Sequence, residues 1–253
     1  MLTAALWGLI QGLTEFLPVS SSGHLVLVPA VFGFEEPGLA AAVMLHLGTL
    51  VAVLAYFRRD LLRLLRFRSD PEARRIIFLL LVGTVPAAVI GLSLRGPIET
   101  IFSEPWVAAV ALMVTGAVLL FAGLLNRGVR RLAEGRAADA LVVGLAQAFA
   151  LLPGISRSGM TITAGIAQGF TRAEAARYAF LLSIPAIAGA GLLDGIDLAR
   201  HGGFTWDLLV GMAVAAVVGY LAIAVLLRVL QRVGLLPFAL YCLAAGAAAY
   251  FLV

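Results

Sequence analysis

In QGLTEFLPVSSSGH (residues 11–24), one carboxylate, three consecutive serines and a histidine fall within ten positions. Such a set supplies what group transfer asks of side chains: a hydroxyl to attack and a base to take its proton. Ser21 is the nucleophile candidate, because His24 lies three residues on and Glu15 precedes the break made by Pro18. An imidazole that titrates near neutrality suits proton transfer. Gln11 stands four residues before Glu15, so the two share a helix face. That face could orient a water or hold a divalent cation, with Glu15 as the metal ligand. One carboxylate and one amide make a poor cage, but Mg²⁺ or Ca²⁺ can share ligands with a substrate phosphate and water.

A second polar cluster lies in LLPGISRSGMT (151–161), far from any loop. Arg157 there would cost several kcal/mol in a membrane without a partner. Its guanidinium fork matches a phosphate or carboxylate. After each break a helix begins, with Ser22-Gly23 and Ser158-Gly159 near the starts. Free N–H groups and the positive dipole end favour an anion there. Two helix starts and one arginine together suggest a phosphate or diphosphate. Blander readings stand beside this one. Arg157 could be a structural partner of Glu15, and Ser20, Ser22, Ser156 and Ser158 could cap helices. Gln147 reads as a hydrogen-bonding linker between the two clusters, and His46, in MLHLGT, as a core histidine. Trp7, Trp106 and Trp206 suit interfacial anchoring.

The elements that position these groups must be helices in a bilayer. Hydrophobic residues make up 62% of the 253 and charged ones 13%, against about half and a quarter in soluble domains. The net charge of +4 is therefore no nucleic-acid signal. The single Cys242 argues against disulfides and thiolate metal sites. MLTAALWGLIQG lacks the basic leader of a signal peptide and reads as part of the mature fold. Six stretches, 38–57, 76–94, 105–126, 178–193, 208–227 and 233–253, are candidate spans, since about 20 apolar residues cross a core of about 30 Å.

Two regions read instead as re-entrant helical hairpins, 2–33 and 140–170. Legs of roughly 12–16 residues reach about 18–24 Å, enough for the midplane but marginal for crossing. Proline and glycine at each centre break the helix. Seven arginines in 58–75 and four in 126–136 then share one face with Arg172, Arg177, Arg228 and Arg232. The positive-inside rule makes that face cytoplasmic and puts both termini outside. Glu35, Glu36, Glu99, Glu104, Asp194 and Asp197 fall on the other face, with only Arg95 and Arg200.

A shift of 136 residues lays GLIQGLTEFLPVSSSG (8–23) over GLAQAFALLPGISRSG (144–159). Gly8/Gly144, Leu9/Leu145, Gln11/Gln147, Ser20/Ser156, Ser22/Ser158 and Gly23/Gly159 coincide. The expectation is one all-α integral membrane domain, 1–253, in two halves of about 1–126 and 137–253. Each half carries a hairpin and three spans. Three is odd, so the second half is inverted, and the two broken tips can meet near the midplane.

QGLTEFLPVSSSGH and LLPGISRSGMT resemble the two signature stretches of the undecaprenyl-diphosphate phosphatases, the bacitracin-resistance membrane family. The likeness covers essentially the whole chain in hydropathy, length and motif order, and the motif pair is specific. It implies hydrolysis of undecaprenyl diphosphate to undecaprenyl phosphate and inorganic phosphate. This recycles the lipid carrier of peptidoglycan synthesis in the bacterial cytoplasmic membrane, at a site facing the outer side. By position it implies Glu15, Ser21, His24 and Arg157 in the active site, Ser156 and Thr161 as phosphate contacts, divalent-cation dependence and a homodimer. One departure matters: many members carry Glu where this chain has Gln11, so a two-carboxylate mechanism is weakened. The rival reading is a transporter or flippase of polyprenyl phosphate, because inverted repeats with broken helices are also a transporter arrangement.

Overall fold

The computed structural model describes all residues except 95, 97–103, 126–127 and 202. Arg95, Glu99, Arg127 and the side chain of Asp197 therefore lie outside the described residues. The described chain is helical: α1 (Leu2–Phe16), α2 (Ser21–Phe32), α3 (Leu39–Tyr56), α4 (Arg58–Leu64), α5 (Pro71–Ser93) and α6 (Pro105–Leu124), then α7 (Ala137–Phe149), α8 (Arg157–Ala167), α9 (Arg172–His201), α10 (Asp207–Arg232) and α11 (Leu236–Leu252). Five of these, α3, α5, α6, α9 and α10, are long and apolar enough to cross a membrane. The protein is a multi-pass membrane protein. The α11 helix has 17 residues, about 25 Å at the usual rise.

Boundaries follow local chemistry. Asp70 caps α5, accepting from the amides of Glu72 and Ala73, and Pro71 opens the helix where no N–H is needed. The stretch expected over 178–193 is part of a longer helix, because α9 runs from Arg172 to His201. Its first turns carry charges that do not interrupt it: Arg177 reaches Asp60 at 2.6 Å and Glu174 at 3.5 Å. Pairing at the end of a helix leaves the apolar part free to span.

The two arginine-rich segments meet at one end of the molecule. Arg63 bonds Asp70 and Glu72, Arg131 also reaches Glu72, and Arg75 donates to the Gly135 carbonyl. Leu132 N donates to Glu174. Elsewhere, the N-terminal ammonium of Met1 pairs with Asp207 at the start of α10.

Helices pack through glycines. The α1 helix lies along α10, and α7 along α5. A Cβ on Gly8 would stand 2.4 Å from Gly211 O, and one on Gly144 would stand 2.5 Å from Gly83 O. Small residues let backbones approach where lipid gives helices no hydrophobic reason to associate. Gly8 and Gly144, which coincide under the 136-residue shift, each lie against the backbone of a glycine on another helix. Trp7 departs from expectation. It is 4% exposed and packs with Leu45 and Ala215, whereas Trp106 and Trp206 are exposed.

Candidate active site

Both polar clusters sit where a helix stops and another starts. Leu17, ahead of Pro18, is driven to extended backbone (φ −64°, ψ 142°), which ends α1. Ser20 then turns the chain with φ +66°. That left-handed conformation is disfavoured for a side-chain-bearing residue, and the surrounding bonds hold it. Its carbonyl accepts from His24 N and faces His24 Nδ1 at 2.8 Å, while its Oγ accepts from Gly23 N and caps α2. In the second cluster Gly154 takes φ +90°, and a Cβ there would lie 2.5 Å from Ala108 O. Thr115 of α6 clamps this turn, donating to Gly154 O and accepting from Ser156 N. Ser156 Oγ accepts from Gly159 N and caps α8, as Ser20 caps α2.

The tips touch. Ser158 donates to the Leu17 carbonyl at 3.1 Å, and a Cβ on Gly23 would come within 3.0 Å of Gly154 Cα. Glu15, whose side chain is 4% exposed, collects donors from both sides. Its Oε2 accepts from Ser21 Oγ at 2.5 Å and Gln11 Nε2 at 2.9 Å, and its Oε1 pairs with Arg157 Nη2. Ser21 and Arg157 are the first residues of α2 and α8. First turns leave N–H groups without intrahelical acceptors, so two positive helix ends converge on this point.

A cavity of about 210 Å³ opens beside them. Of the residues expected in the site, Glu15, Ser20, Ser21, Ser22, Gln147, Ser156 and Arg157 line it. Gln147 does not link the two clusters as expected, since its side-chain oxygen and nitrogen are buried without a hydrogen-bond partner among the described residues. Gln11, Gly23, His24, Ser158 and Thr161 are not among the cavity's lining. Gln11 acts behind Glu15, and Gly23 and Ser158 hold the tips together. The Thr161 hydroxyl donates to the Arg157 carbonyl at 2.7 Å, a contact that steadies the first turn of α8. His24 turns away. Its Nε2 meets Tyr241 Oη of α11 at 2.7 Å, and among the described residues its ring makes no bond to Ser21. Ala87, Ala186, Ile187 and Ala190 add a small apolar stretch to the lining.

The family model described as bacitracin resistance protein BacA matches residues 4–248. The chain belongs to the BacA family. A protein of Geobacter metallireducens named undecaprenyl-diphosphatase is 47% identical, covering 97% of this chain and 96% of its own length. One from Geobacter sulfurreducens with the same name is 48% identical over 97% and 95%. A third, from Thermomicrobium roseum, is 45% identical over 96% and 94%.

Three lining or supporting residues of this BacA-family chain escaped sequence reasoning. Thr14 lines the cavity, with its hydroxyl bonded to Ile10 O. Thr115 is fully buried and braces the second tip. A lone hydroxyl inside an apolar span was the available signal for Thr115. His46, read as a core residue, also lines the cavity. Its place in α3 carries no local mark of that, because proximity to Glu15 arises between helices distant in sequence.

Proposed function

We propose that this protein hydrolyses undecaprenyl diphosphate to undecaprenyl phosphate and inorganic phosphate at the paired tips. This is the activity named for its relatives, and it returns the lipid carrier to peptidoglycan synthesis and underlies bacitracin resistance. The observation that carries the reading is the convergence of Ser21 and Arg157, each opening a helix, on one buried carboxylate. Arg157 and the two helix starts hold the diphosphate, and the polyprenyl tail leaves past the apolar wall. Ser21 Oγ attacks the terminal phosphorus as Glu15 takes its proton. The anhydride P–O bond breaks and undecaprenyl phosphate departs. Water then cleaves the phosphoseryl bond, phosphate leaves, and Ser21 recovers its proton. The geometry favours Glu15 over His24 as the first base, since Glu15 already accepts the Ser21 hydrogen. Charge stabilisation on the transferring phosphoryl group supplies most of the rate.

A resident divalent cation does not fit the protein groups as they stand. Both oxygens of Glu15 accept from Ser21, Gln11 and Arg157, and no group of three or more His, Cys, Asp or Glu capable of holding a metal occurs among the described residues. Mg²⁺ or Ca²⁺ would instead arrive on the substrate phosphates, and no step above runs through it.

The proposed topology is six spans and two re-entrant hairpins in inverted halves, α11 being the sixth span. Both termini and the site then face outward, and the arginine-rich end is cytoplasmic. Equivalent capping by Ser20 and Ser156 and the glycine contacts of Gly8 and Gly144 support the repeat. Against the flippase reading, Glu15 is the carboxylate held deep at the tips, with no second one beside it for ion coupling among the described residues. The test is phosphate release from undecaprenyl diphosphate by purified protein in detergent, where no gradient exists. Turnover by wild type and its loss in Ser21→Ala are expected. An inert wild type would sink the reading.

A further inference from the structure

The mechanism above leaves the hydrolytic water without a base, since Glu15 holds the Ser21 proton when that water arrives. His46 of α3 stands at the same cavity as Glu15, Ser21 and Arg157. Its Nδ1 lies 2.8 Å from the Ala42 carbonyl, one turn back. A carbonyl accepts only, so Nδ1 carries the hydrogen, and in the neutral ring Nε2 is left with a bare lone pair. The ring is half-buried. His24 has no such freedom. Its Nδ1 is held to Ser20 O and its Nε2 to Tyr241 Oη, and it is not among the cavity's lining residues.

We propose that His46 is a catalytic base of this site, its Nε2 taking the proton from the water that attacks phosphorus. The inference rests on the diphosphatase reading and adds to it a residue on α3, outside both tips. As the water oxygen bonds to phosphorus, its proton passes to Nε2 and the bond from phosphorus to Ser21 Oγ breaks. Ser21 takes back the proton held by Glu15. Phosphate leaves, and the imidazolium gives up its proton to solvent, so one water is consumed and one proton released per turnover. Ala186 and Ala190, both small, line the same cavity as His46 and leave it room for water.

The test uses full-length protein purified in detergent and phosphate release from undecaprenyl diphosphate, with His46→Gln and His46→Ala. Glutamine keeps an amide that can donate to Ala42 O but has no base. A kcat lower by at least about 10²-fold in both variants is expected, with KM within about 3-fold of wild type. Added imidazole should restore turnover to His46→Ala and leave wild type and Ser21→Ala unchanged. The idea is overturned by His46→Gln turning over within about 3-fold of wild type, by a loss confined to KM, or by His46→Ala indifferent to imidazole. An inert wild type would overturn the diphosphatase reading and this inference with it, whereas an active wild type with unaffected His46 variants overturns this inference alone.

Discussion

Ser21 and Arg157 occupy the same position in the two tips, 136 residues apart, and each bonds a different oxygen of Glu15. Equivalent helix starts thus carry different chemistry, a hydroxyl on one and a guanidinium on the other. In the proposed mechanism the two helix starts bind the anion, with Ser21 as nucleophile and Arg157 as clamp.

Removing either end of the Ser21–Glu15 hydrogen bond should stop turnover. Ser21→Ala is expected to lose at least about 10²-fold in kcat, and Glu15→Gln as much. Glu15→Gln should also lower the melting midpoint, because it leaves the half-buried Arg157 without its anion. His24→Gln should cost less than either, since His24 braces the turn at Ser20. Phosphate release and thermal melting read all three. Near-normal turnover of Ser21→Ala would leave direct attack by water.

Arg157→Lys keeps the charge and removes the fork. It should lower kcat/KM by at least about 10-fold, since one ammonium cannot pair with Glu15 and grip a phosphate as a planar fork does. Steady-state kinetics on undecaprenyl diphosphate measure this, and equality with wild type would make the planar geometry irrelevant.

The glycine crossings predict where the helix packing is intolerant. Gly8→Val and Gly144→Val would each place atoms against a backbone carbonyl and should destabilise by about 1–3 kcal/mol. Gly189→Ala on α9, with nothing within 4 Å of the added carbon, should be nearly neutral. Melting in detergent separates the two classes.

At the arginine-rich end, burial pushes the Asp139 carboxyl up, but hydrogen bonds from Arg130 and the Arg136 amide outweigh it. The group is therefore held below its ordinary value of 3.8. A lowered carboxylate stabilises the fold above that ordinary value and loses its contribution as pH falls through the folded one. Asp139→Asn should cost roughly 1–3 kcal/mol at neutral pH and shrink the loss of melting temperature on acidification below about 4. A variant melting in parallel with wild type at every pH would show the pair to be inert.

Much of the fold is legible because the bilayer imposes one dominant constraint: backbone polar groups must be satisfied within helices, so long apolar runs announce themselves. Pro18 and Pro153 mark the breaks for local steric reasons, and the 136-residue shift exposes Gly8 and Gly144 before their role is visible. What local sequence does not contain is which helices adjoin. That Thr115 reaches the second tip, that Trp7 is buried, and that α9 continues through Arg177 depend on contacts between segments distant in the chain.

Apolar content, proline and intramembrane charge are local properties, so residue order alone specifies a helical membrane protein with two broken, serine-rich tips, a Glu15 and an Arg157 far from any loop. Which histidine lines the cavity is settled by how the helices pack. His24 is three residues from Ser21 and turns to Tyr241, while His46 is 25 residues from Ser21 and lines the site with it. The reason is geometric: side chains three apart on a helix such as α2 point along its own surface. A cavity between helices is lined by whatever side chains their packing turns inward.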